Sequence, residues 1–559
     1  MTTQEWYERT NKQFGDILDE TASKQPEAEF IIHKNQKITY SEFQQLVNRM
    51  ARGLIEIGVG KGERVALWMT NCPEWMVSQY AIYKIGAALL PINTRFVRDE
   101  VAYSLAQSET STLILKDSFL GEKIDALGML LEMIPQLAQM EPGQVECRQF
   151  PHLKRIVLLG QGPEAGTFSF DEVLDKVKDC KKDDVLQRAQ ESVSPFDVMN
   201  MVYTSGTTGF PKGGLSPHRT NCSALYQFIS RIGVGPGDRT LLTVPLFTNF
   251  GATYVSALSV MAGMTIIMQE YFHPEEAMKA IEAQKVTLFE GAPAHYIMIL
   301  NSPSIDKYDL SSLRVGVVGG APAAPETVRA AMDKMGFKQI CNAYGLSECG
   351  GLSTTTLADD SVETIANTVG VAFPSCQVKI VDPHKLVDLP PGEQGEIWLH
   401  DVYPGSAVGL GYYNMPAKTK ETITEEGWFR TGDLGIMDEN GYLRITGRVK
   451  DMFLVGGFNV YSVEIENLLH SHLKVKMAAV LGVPDERLGE VCMAYIEPKP
   501  GEEPTEEEII EFCKKNMANY KVPRYVKFIS TQEFPLTGSA KVRKFKLRER
   551  AIKELGLTE

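Results

Sequence analysis

The sequence reads YTSGTTGFPKGG from Tyr203 to Gly214, directly after the apolar run Val198–Tyr203 and before a helical pattern. Glycines and small hydroxyl residues allow backbone N–H groups to surround phosphate oxygens, and Lys212 adds a positive charge. Because Lys212 is followed by Gly213 and not by Ser or Thr, the stretch is not a Walker loop. The alternative is an ordinary turn, but this composition after a buried strand favours a polyphosphate-binding loop.

Short apolar runs alternate with helical periods on both sides of this loop. Val65–Trp68 and Ala87–Pro91 are predicted strands upstream, and PEEAMKAIEAQ is a predicted helix downstream. The other predicted strands of this kind are Val198–Tyr203, Leu241–Val244, Met264–Met268, Leu313–Val318 and Gln339–Tyr344. Strands alternating with helices are typical of parallel sheets, so the sequence predicts an α/β fold of stacked parallel subdomains.

The pattern changes in the last third of the chain. Residues 369–438 contain the short runs VKIVD, GEIWLH and GYYN between turn-rich segments, which predicts a β-barrel-like subdomain. After GYLRITGRVKD, mixed helix and strand patterns predict a small α+β domain. We therefore expect a large N-terminal domain over 1–449 and a small C-terminal domain over 450–559.

Composition excludes several classes of function. The 559 residues are 43% hydrophobic and 23% charged, a globular balance, and the net charge of −14 does not favour nucleic acid or anionic lipid as a partner. The nine cysteines are scattered without a Cys-x-x-Cys pair, which argues against a disulfide framework or a zinc site. The polar N-terminus, and the lack of a long apolar run, predict a cytoplasmic protein without a membrane segment.

Further motifs follow the loop in a fixed order. They are Gly319–Pro322, Tyr344–Glu348, Gly427–Asp433, Gly447–Asp451, Gly456–Tyr461 and Pro535–Lys541. With these motifs the chain resembles the acyl-adenylate-forming family, which includes AMP-forming acyl-CoA synthetases, peptide-synthetase adenylation domains and beetle luciferases. The resemblance spans nearly the whole sequence and implies a mobile C-terminal lid, with ATP/AMP, Mg²⁺ and coenzyme A as cofactors.

The resemblance implies a nucleotide site built from most of these motifs. Tyr344 would stack on adenine, Asp433 would accept hydrogen bonds from the ribose hydroxyls, and Arg448 would lie near the same nucleotide. The full nucleotide set is Thr204, Ser205, Gly206, Thr207, Thr208, Gly209, Lys212, Gly319, Gly320, Ala321, Pro322, Asn342, Ala343, Tyr344, Gly345, Ser347, Asp433, Arg448 and Lys541.

Catalytic roles follow from the same resemblance. Glu348 and Thr204 would hold Mg²⁺, which prefers carboxylate and phosphate oxygens. Lys541 would bridge the acyl carboxylate and the α-phosphate, although the preceding residue is Ala540 where the family usually has Gly. Lys212 and the hinge residue Lys450 complete the catalytic set. Rotation about Lys450 would bring in Gly456, Gly457 and Phe458 as the channel for the CoA thiol.

The acyl pocket is expected around the motif Pro245–Gly251. Thr248 stands where the family often has a gating histidine, and Gly345 stands where acetate-specific relatives have tryptophan, so the pocket has room for an acid larger than acetate. The full pocket set is Phe247, Thr248, Asn249, Phe250, Gly319, Gly345, Gly350 and Gly351. We expect a medium-sized apolar monocarboxylate, whether linear, alicyclic or aromatic.

The sequence therefore predicts a monomeric or homodimeric acid:CoA ligase that forms an acyl-adenylate and pyrophosphate, then acyl-CoA and AMP, or that runs in reverse to make ATP. A serine hydrolase is disfavoured because Gly345-Leu346-Ser347-Glu348-Cys349 fails the G-x-S-x-G pattern. The string from His384 to Asp388 is interpreted as a surface loop and not as an acyltransferase motif. A noncatalytic nucleotide-binding regulator and a luciferase-type oxygenase remain alternatives.

Overall fold

The computed structural model describes residues 8–160, 166–178, 183–204, 211–320, 323–456, 458–536 and 542–557. The chain divides into two units. The first comprises Met1–Thr204, Lys212–Gln377 and Leu399–Phe429, and the second comprises Ser205–Pro211, Val378–Trp398 and Arg430–Glu559. No helix in the described part of the chain is both long and apolar enough to cross a bilayer.

Two sheets form the scaffold of the first unit. In spatial order the larger sheet contains Val371–Ala372, Thr354–Thr355, Gln339–Tyr344, Val315–Gly319, Leu288–Gly291, Arg239–Leu242, Thr265–Met268, Glu29–His33 and Gln36–Thr39. The other contains Lys212–Pro217, Val198–Thr204, Ala88–Pro91, Arg64–Trp68, Thr112–Lys116, Arg155–Leu159 and Phe168–Ser169. Central strands are parallel in both sheets, so the predicted α/β fold is confirmed.

The predicted strands appear at or within two residues of their expected bounds. Their short apolar runs are almost wholly buried, as expected for parallel strands covered on both faces. Leu288–Gly291 was not predicted, because it carries the acidic residue Glu290 in the middle of a short strand. A small hairpin of Ser118–Phe119 and Ile124–Asp125 lies outside both sheets.

Helices of the first unit pack on the sheets. They are Phe14–Lys24, Tyr40–Glu56, Pro73–Lys84, Arg98–Gln107, Ala126–Met133, Phe170–Asp175, Asp184–Glu191, His218–Ile232, Leu258–Ala262, Pro274–Gln284, Pro293–Leu300, Pro325–Met335, Val362–Asn367 and Pro416–Thr422. The stretch Phe250–Ala257 is a π-helix, and short 3₁₀ turns occupy Leu137–Gln139, Ile305–Lys307 and Ser347–Cys349. Local sequence sets the helix starts; Thr39 and Glu42, for example, form a reciprocal capping box.

Two smaller sheets lie mostly in the second unit. One has the order Cys376–Val381, Gln394–Asp401, Phe429–Met437 and Leu443–Arg448, and it stands where the sequence predicts a β-barrel-like subdomain. The other contains Phe458–Tyr461, Met452–Val455, Gly489–Pro498, Val475–Asp485 and Tyr525–Phe528. Its helices are Ser462–His470, Glu506–Asn516 and Lys544–Leu555, with 3₁₀ turns at Val449–Asp451, Asn519–Lys521 and Thr531–Glu533. This confirms the predicted small α+β domain.

The segment GYYN did not form the strand that its pattern suggested. Within it, Tyr412 makes only an isolated bridge to Gly214, and the segment belongs to the first unit. The division into units also groups 378–398 with the C-terminal part of the chain. The domain boundary at Lys450, as a hinge, stays a prediction.

His218, at the start of the helix His218–Ile232, is a buried histidine with few polar contacts. Its Nδ1 accepts a hydrogen bond from the Phe14 N–H at 3.4 Å, and its Nε2 has no hydrogen-bond partner among the described residues. Burial lowers the pKa of His218 to about 3, only partly offset by the charge of Asp197. The ring is therefore neutral in the folded protein at neutral pH.

This histidine predicts acid sensitivity of the fold. In the unfolded chain His218 is protonated below about pH 6.5, whereas in the folded chain it is protonated only below about pH 3. The free energy of unfolding is therefore at its full value above pH 6.5 and decreases below it. Between pH 7 and pH 5 we expect His218 alone to lower the free energy of unfolding by about 2 kcal/mol. Urea unfolding of wild type and His218→Gln at both pH values measures this. Equal losses in the two proteins would contradict it.

Candidate active site

The strand Val198–Thr204 and the strand Lys212–Pro217 lie antiparallel and carry the two ends of the predicted phosphate loop. Thr204 pairs with Lys212 in the register, so the loop leaves and returns at one place on the sheet. Within the loop, Ser205, Gly206, Thr207, Thr208 and Gly209 lie outside the described residues. The described ends place a threonine hydroxyl and a lysine side by side at the end of a buried strand.

Glu348 lies next to Thr204, at the end of the strand Val198–Thr204 in the first unit. It belongs to the 3₁₀ turn Ser347–Cys349, which follows the strand Gln339–Tyr344, and only 8% of the residue is exposed. Its Oε1 accepts hydrogen bonds from Thr204 Oγ1 at 2.9 Å and from the Tyr412 hydroxyl at 3.2 Å. The structure thus brings together Thr204 and Glu348, the two residues that sequence analysis assigned to the metal.

The donor set decides which metal fits. Among the described residues, no three His, Cys, Asp or Glu side chains converge in a way that could hold a metal ion by themselves. Mg²⁺ is commonly bound by one or two carboxylates plus the phosphate oxygens of a nucleotide. A single carboxylate next to a threonine hydroxyl therefore fits Mg²⁺ that arrives with a polyphosphate.

Tyr412 is a site residue that sequence analysis missed. The segment around it runs along the strand Lys212–Pro217, with Leu215 N donating to Gly411 O and Tyr413 N donating to Gly213 O, each at 2.9 Å. Burial and the charge of Glu348 raise the pKa of Tyr412, so its hydroxyl stays a hydrogen-bond donor. The signal in the sequence was the aromatic pair Tyr412-Tyr413 after Gly411, in a segment too short for a strand.

Lys212 also contacts Tyr412, over the face of its ring. Its Nζ stands 5.4 Å from the centroid of the Tyr412 ring, a cation–π distance. Burial and the nearby charge of Lys418 lower the pKa of Lys212. Tyr412 thus contacts both an acidic and a basic residue of the predicted phosphate site.

The predicted adenine-binding residues occupy the ends of two adjacent strands. Gly319 pairs with Ala343, and Tyr344 ends its strand half-buried. Gly320 has a φ of +79°, which favours glycine, whereas Ala321 and Pro322 lie outside the described residues. Asn342 already donates its amide to Ile365 O and Thr368 O, so its side chain holds the neighbouring segment in place.

A close backbone crossing explains the glycine at position 345. A Cβ added to Gly345 would lie 1.4 Å from the carbonyl oxygen of Gly351. Gly351 has a φ of +109° and lies against Tyr254 and Asn249. The chain therefore needs glycine here so that the loop after Glu348 can fold back, independently of the size of the acid.

This crossing makes Gly345→Ala a structural test. We expect the variant to lose about 3 kcal/mol of unfolding free energy or more, because backbone atoms must move to accept the methyl group. Gly235→Ala is the matched control, since a Cβ there would meet no atom within 4 Å. Urea unfolding measures both variants, and a Gly345→Ala protein as stable as the control would refute the crossing.

Four of the predicted acyl-pocket residues, 247–250, lie at the start of the π-helix Phe250–Ala257 and in the turn before it. The ring of Phe250 comes within 3.9 Å of a Cβ built on Gly319. Thr248 Oγ1 donates to Pro245 O at 2.7 Å and accepts from Gly251 N, so it caps the helix. Phe247 is half-buried in the same turn. The structure thus brings Phe250 and Gly319 next to each other, and together they form one wall of the predicted acyl pocket.

Tyr254 links this helix to the loop that follows Glu348. Its hydroxyl donates to Gly350 O at 2.6 Å and accepts from Leu352 N at 2.6 Å. Tyr254 is buried. It therefore holds the loop of Gly350 and Gly351 against the wall that carries Phe250.

In the second unit, Asp433 and Arg448 stand directly opposite each other on antiparallel strands. Arg448 Nε lies 3.0 Å from Asp433 Oδ1, and the carboxylate is the more buried partner. Gly432, next to Asp433, has a φ of +71°. Asp433, the predicted ribose-binding residue, and Arg448, predicted near the same nucleotide, thus form one ion pair.

The remaining predicted residues of this unit follow Arg448 in the sequence. Lys450 lies in the 3₁₀ turn Val449–Asp451, and Gly456 has a φ of +57°. Phe458 is 60% exposed and stacks on Tyr520 with the ring centroids 5.0 Å apart. Gly457 and Lys541 lie outside the described residues, so their roles stay predictions.

Comparison with known proteins supplies the family. A family model described as AMP-binding enzyme matches residues 18–413, and one described as AMP-binding enzyme C-terminal domain matches residues 464–541. The chain is 37% identical over 549 residues to a putative acyl-CoA synthetase, YngI, of Bacillus subtilis, with 97% of this chain and 98% of YngI covered.

Two further matches agree with it. The mitochondrial medium-chain acyl-CoA ligase ACSF2 of Bos taurus is 33% identical, over 98% of this chain and 89% of its own. The solved structure of the anthranilate CoA ligase AuaEII in complex with anthranoyl-AMP matches with a TM-score of 0.80 at 26% identity, covering 98% of each chain. The chain therefore belongs to the AMP-binding enzyme family, in which it is an acyl-CoA synthetase that forms AMP and acts through an acyl-adenylate.

Proposed function

We propose that this ligase activates a medium-sized monocarboxylic acid with ATP and Mg²⁺ and passes the acyl group to the thiol of free coenzyme A. The observation that carries the proposal is the Glu348 carboxylate held by the hydroxyls of Thr204 and Tyr412 at the end of the phosphate-loop strand. When bound, Mg²⁺ supplies charge stabilisation of the phosphate oxygens.

The first half-reaction needs little covalent chemistry from the protein. A carboxylate oxygen of the acid attacks the α-phosphorus, the bond from that phosphorus to the bridging oxygen breaks, and pyrophosphate leaves with the electron pair. Positioning and charge stabilisation therefore account for most of the rate. Lys212, Thr204 and the proposed Lys541 would contact the phosphates, while the Asp433–Arg448 pair would orient the ribose.

The second half-reaction transfers the acyl group. The CoA thiol loses its proton to solvent, its sulfur attacks the acyl carbonyl, and the bond from the carbonyl carbon to the AMP oxygen breaks, so that AMP leaves with the electron pair. We propose that a rotation about Lys450 replaces Lys541 by Gly456, Gly457 and Phe458 next to the adenylate. With acyl-CoA, AMP and pyrophosphate in excess, the same steps run backwards and make ATP, CoA and the free acid.

Phe250 and Gly319 support an acid of medium size. Their side of the site has the small Gly319 facing an aromatic ring, which suits an apolar chain or ring. The relative ACSF2 is named as a ligase of medium-chain acyl groups, and AuaEII is named as a ligase of anthranilate, an aromatic acid. Both support an acid larger than acetate.

Acid-dependent exchange of labelled pyrophosphate into ATP tests the proposal. The panel is acetate, hexanoate, octanoate, cyclohexanecarboxylate, benzoate and palmitate, each with and without Mg²⁺. We expect Mg²⁺-dependent exchange with one or more of hexanoate, octanoate, cyclohexanecarboxylate and benzoate. Addition of CoA should then give acyl-CoA. Exchange without acyl-CoA would refute the acceptor, and exchange with acetate or palmitate alone would refute the size class.

A further inference from the structure

Glu290 is a buried carboxyl group for which the proposed mechanism has no use. It lies in the strand Leu288–Gly291, at the centre of the larger sheet of the first unit, and it is fully buried. Its Oε2 accepts a hydrogen bond from Thr240 Oγ1 at 3.0 Å. Its Oε1 has no hydrogen-bond partner among the described residues. Leaving such an atom unpaired costs folding free energy, so its presence calls for a reason.

The strand register shows which way the side chain points. Glu290 pairs with Val317 across two parallel strands, so their side chains lie on the same face of the sheet. Val317 and Leu288 pack in the core cluster that Phe250 joins, whereas Phe289 packs in the cluster on the opposite face. Glu290 therefore faces the side on which Phe250 lies against Gly319.

Glu290 lies deeper on that face than the nucleotide-binding strand ends. Gly319 follows Val317 by two residues, which is about 6.6 Å along the strand, and the neighbouring strand is about 4.8 Å away. The backbone of Glu290 is thus about 8 Å from that of Gly319, on the side away from the adenylate. An acyl chain lying along Phe250 from its activated carboxyl group would approach Glu290 with its distal part.

We propose that Glu290 binds a neutral oxygen substituent, a hydroxyl or oxo group, on the distal part of the acyl chain. The inference rests on the proposed function, because it assumes that the acyl chain occupies the wall of Phe250 and Gly319. It also replaces the expectation of a purely apolar acid by a more specific substrate class.

The protonation state agrees with a neutral ligand. Burial raises the pKa of Glu290 to about 8, so the group is a carboxylic acid at neutral pH. A carboxylic acid both donates and accepts a hydrogen bond, which suits a hydroxyl or a carbonyl oxygen. A buried ammonium group on the substrate would instead need an ionised partner. A second carboxylate on the substrate would lose its hydration shell and gain only a neutral carboxylic acid as partner.

The test compares octanoate with 6-hydroxy-, 8-hydroxy- and 8-aminooctanoate as substrates for acyl-CoA formation. In the wild type we expect kcat/KM for the better hydroxy acid to exceed that for octanoate about tenfold, because an unpaired buried carboxyl penalises the unsubstituted chain. In Glu290→Leu this preference should vanish while octanoate is used at least as well. Glu290→Gln, which keeps hydrogen-bonding capacity, should retain most of it.

The role of Glu290 would be overturned if the ratio of kcat/KM for the hydroxy acid to that for octanoate were unchanged in Glu290→Leu. A wild type that prefers octanoate or 8-aminooctanoate would overturn it as well. If Glu290→Leu does not fold, the wild-type preference and Glu290→Gln decide the matter alone. Absence of acyl-CoA from every acid, octanoate included, would overturn the proposed function, whereas turnover of octanoate without the preference overturns only the role of Glu290.

Discussion

Glu348→Gln is expected to lower acid-dependent pyrophosphate exchange by about 10²- to 10³-fold, the cost of removing one charged group that stabilises a transition state. The amide keeps the size of the side chain and can still accept hydrogen bonds from Thr204 and Tyr412. It lacks the negative charge that Mg²⁺ needs. The fold should therefore survive, and the loss should fall on the chemistry.

The control and the metal dependence make this prediction specific. Glu425→Gln removes the same charge from an exposed position in the same unit and should leave exchange unchanged. Raising the Mg²⁺ concentration should restore part of the Glu348→Gln activity, and unfolding curves of the two variants should agree. A wild-type exchange rate in Glu348→Gln would remove Glu348 from the catalytic set.

Lys541→Ala is expected to separate the two half-reactions. Charge builds on the α-phosphate during adenylation, and the proposed position of the lysine ammonium stabilises it there, so acyl-AMP formation should fall about 10²- to 10³-fold. Thioester formation from supplied acyl-AMP and CoA should change less than about threefold, because the lysine has left the site by then. Rapid-quench assays of each step measure the two rates.

The control for this variant lies a few residues further along. Lys546→Ala removes an exposed lysine from the helix Lys544–Leu555 and should affect neither step. Equal losses of both half-reactions in Lys541→Ala would contradict a lid that alternates between two positions. A loss confined to thioester formation would contradict the assignment of Lys541 itself.

The α/β fold could be predicted because its signal is local. Buried parallel strands such as Arg64–Trp68 and Ala88–Pro91 are continuous apolar runs, and the helix between them has its own start and stop residues. Leu288–Gly291 escaped prediction because Glu290 interrupts its apolar pattern. A residue retained against local preference is often one with a functional reason.

Parts of the site needed three-dimensional proximity. Thr204 and Glu348 could be paired because each belongs to a recognisable motif, whereas Tyr412 reaches Glu348 across 64 residues from a segment with no regular period. Likewise the reason for glycine at 345 is the carbonyl of Gly351, six residues later. Such contacts depend on how loops return to a strand end, which a hydrophobic period does not encode.

The double hydrogen bond of Tyr254 has a consequence for redesigning this ligase. A change of substrate range would start from the π-helix Phe250–Ala257, whose Phe250 side chain is apolar and lies against Gly319, so that replacing it breaks no side-chain hydrogen bond. Tyr254, on the same helix, holds the loop that begins at Glu348. Mutant libraries should therefore randomise Phe250 and keep Tyr254. A substitution at Tyr254 would release the loop that follows Glu348 and so lower turnover together with any change in specificity.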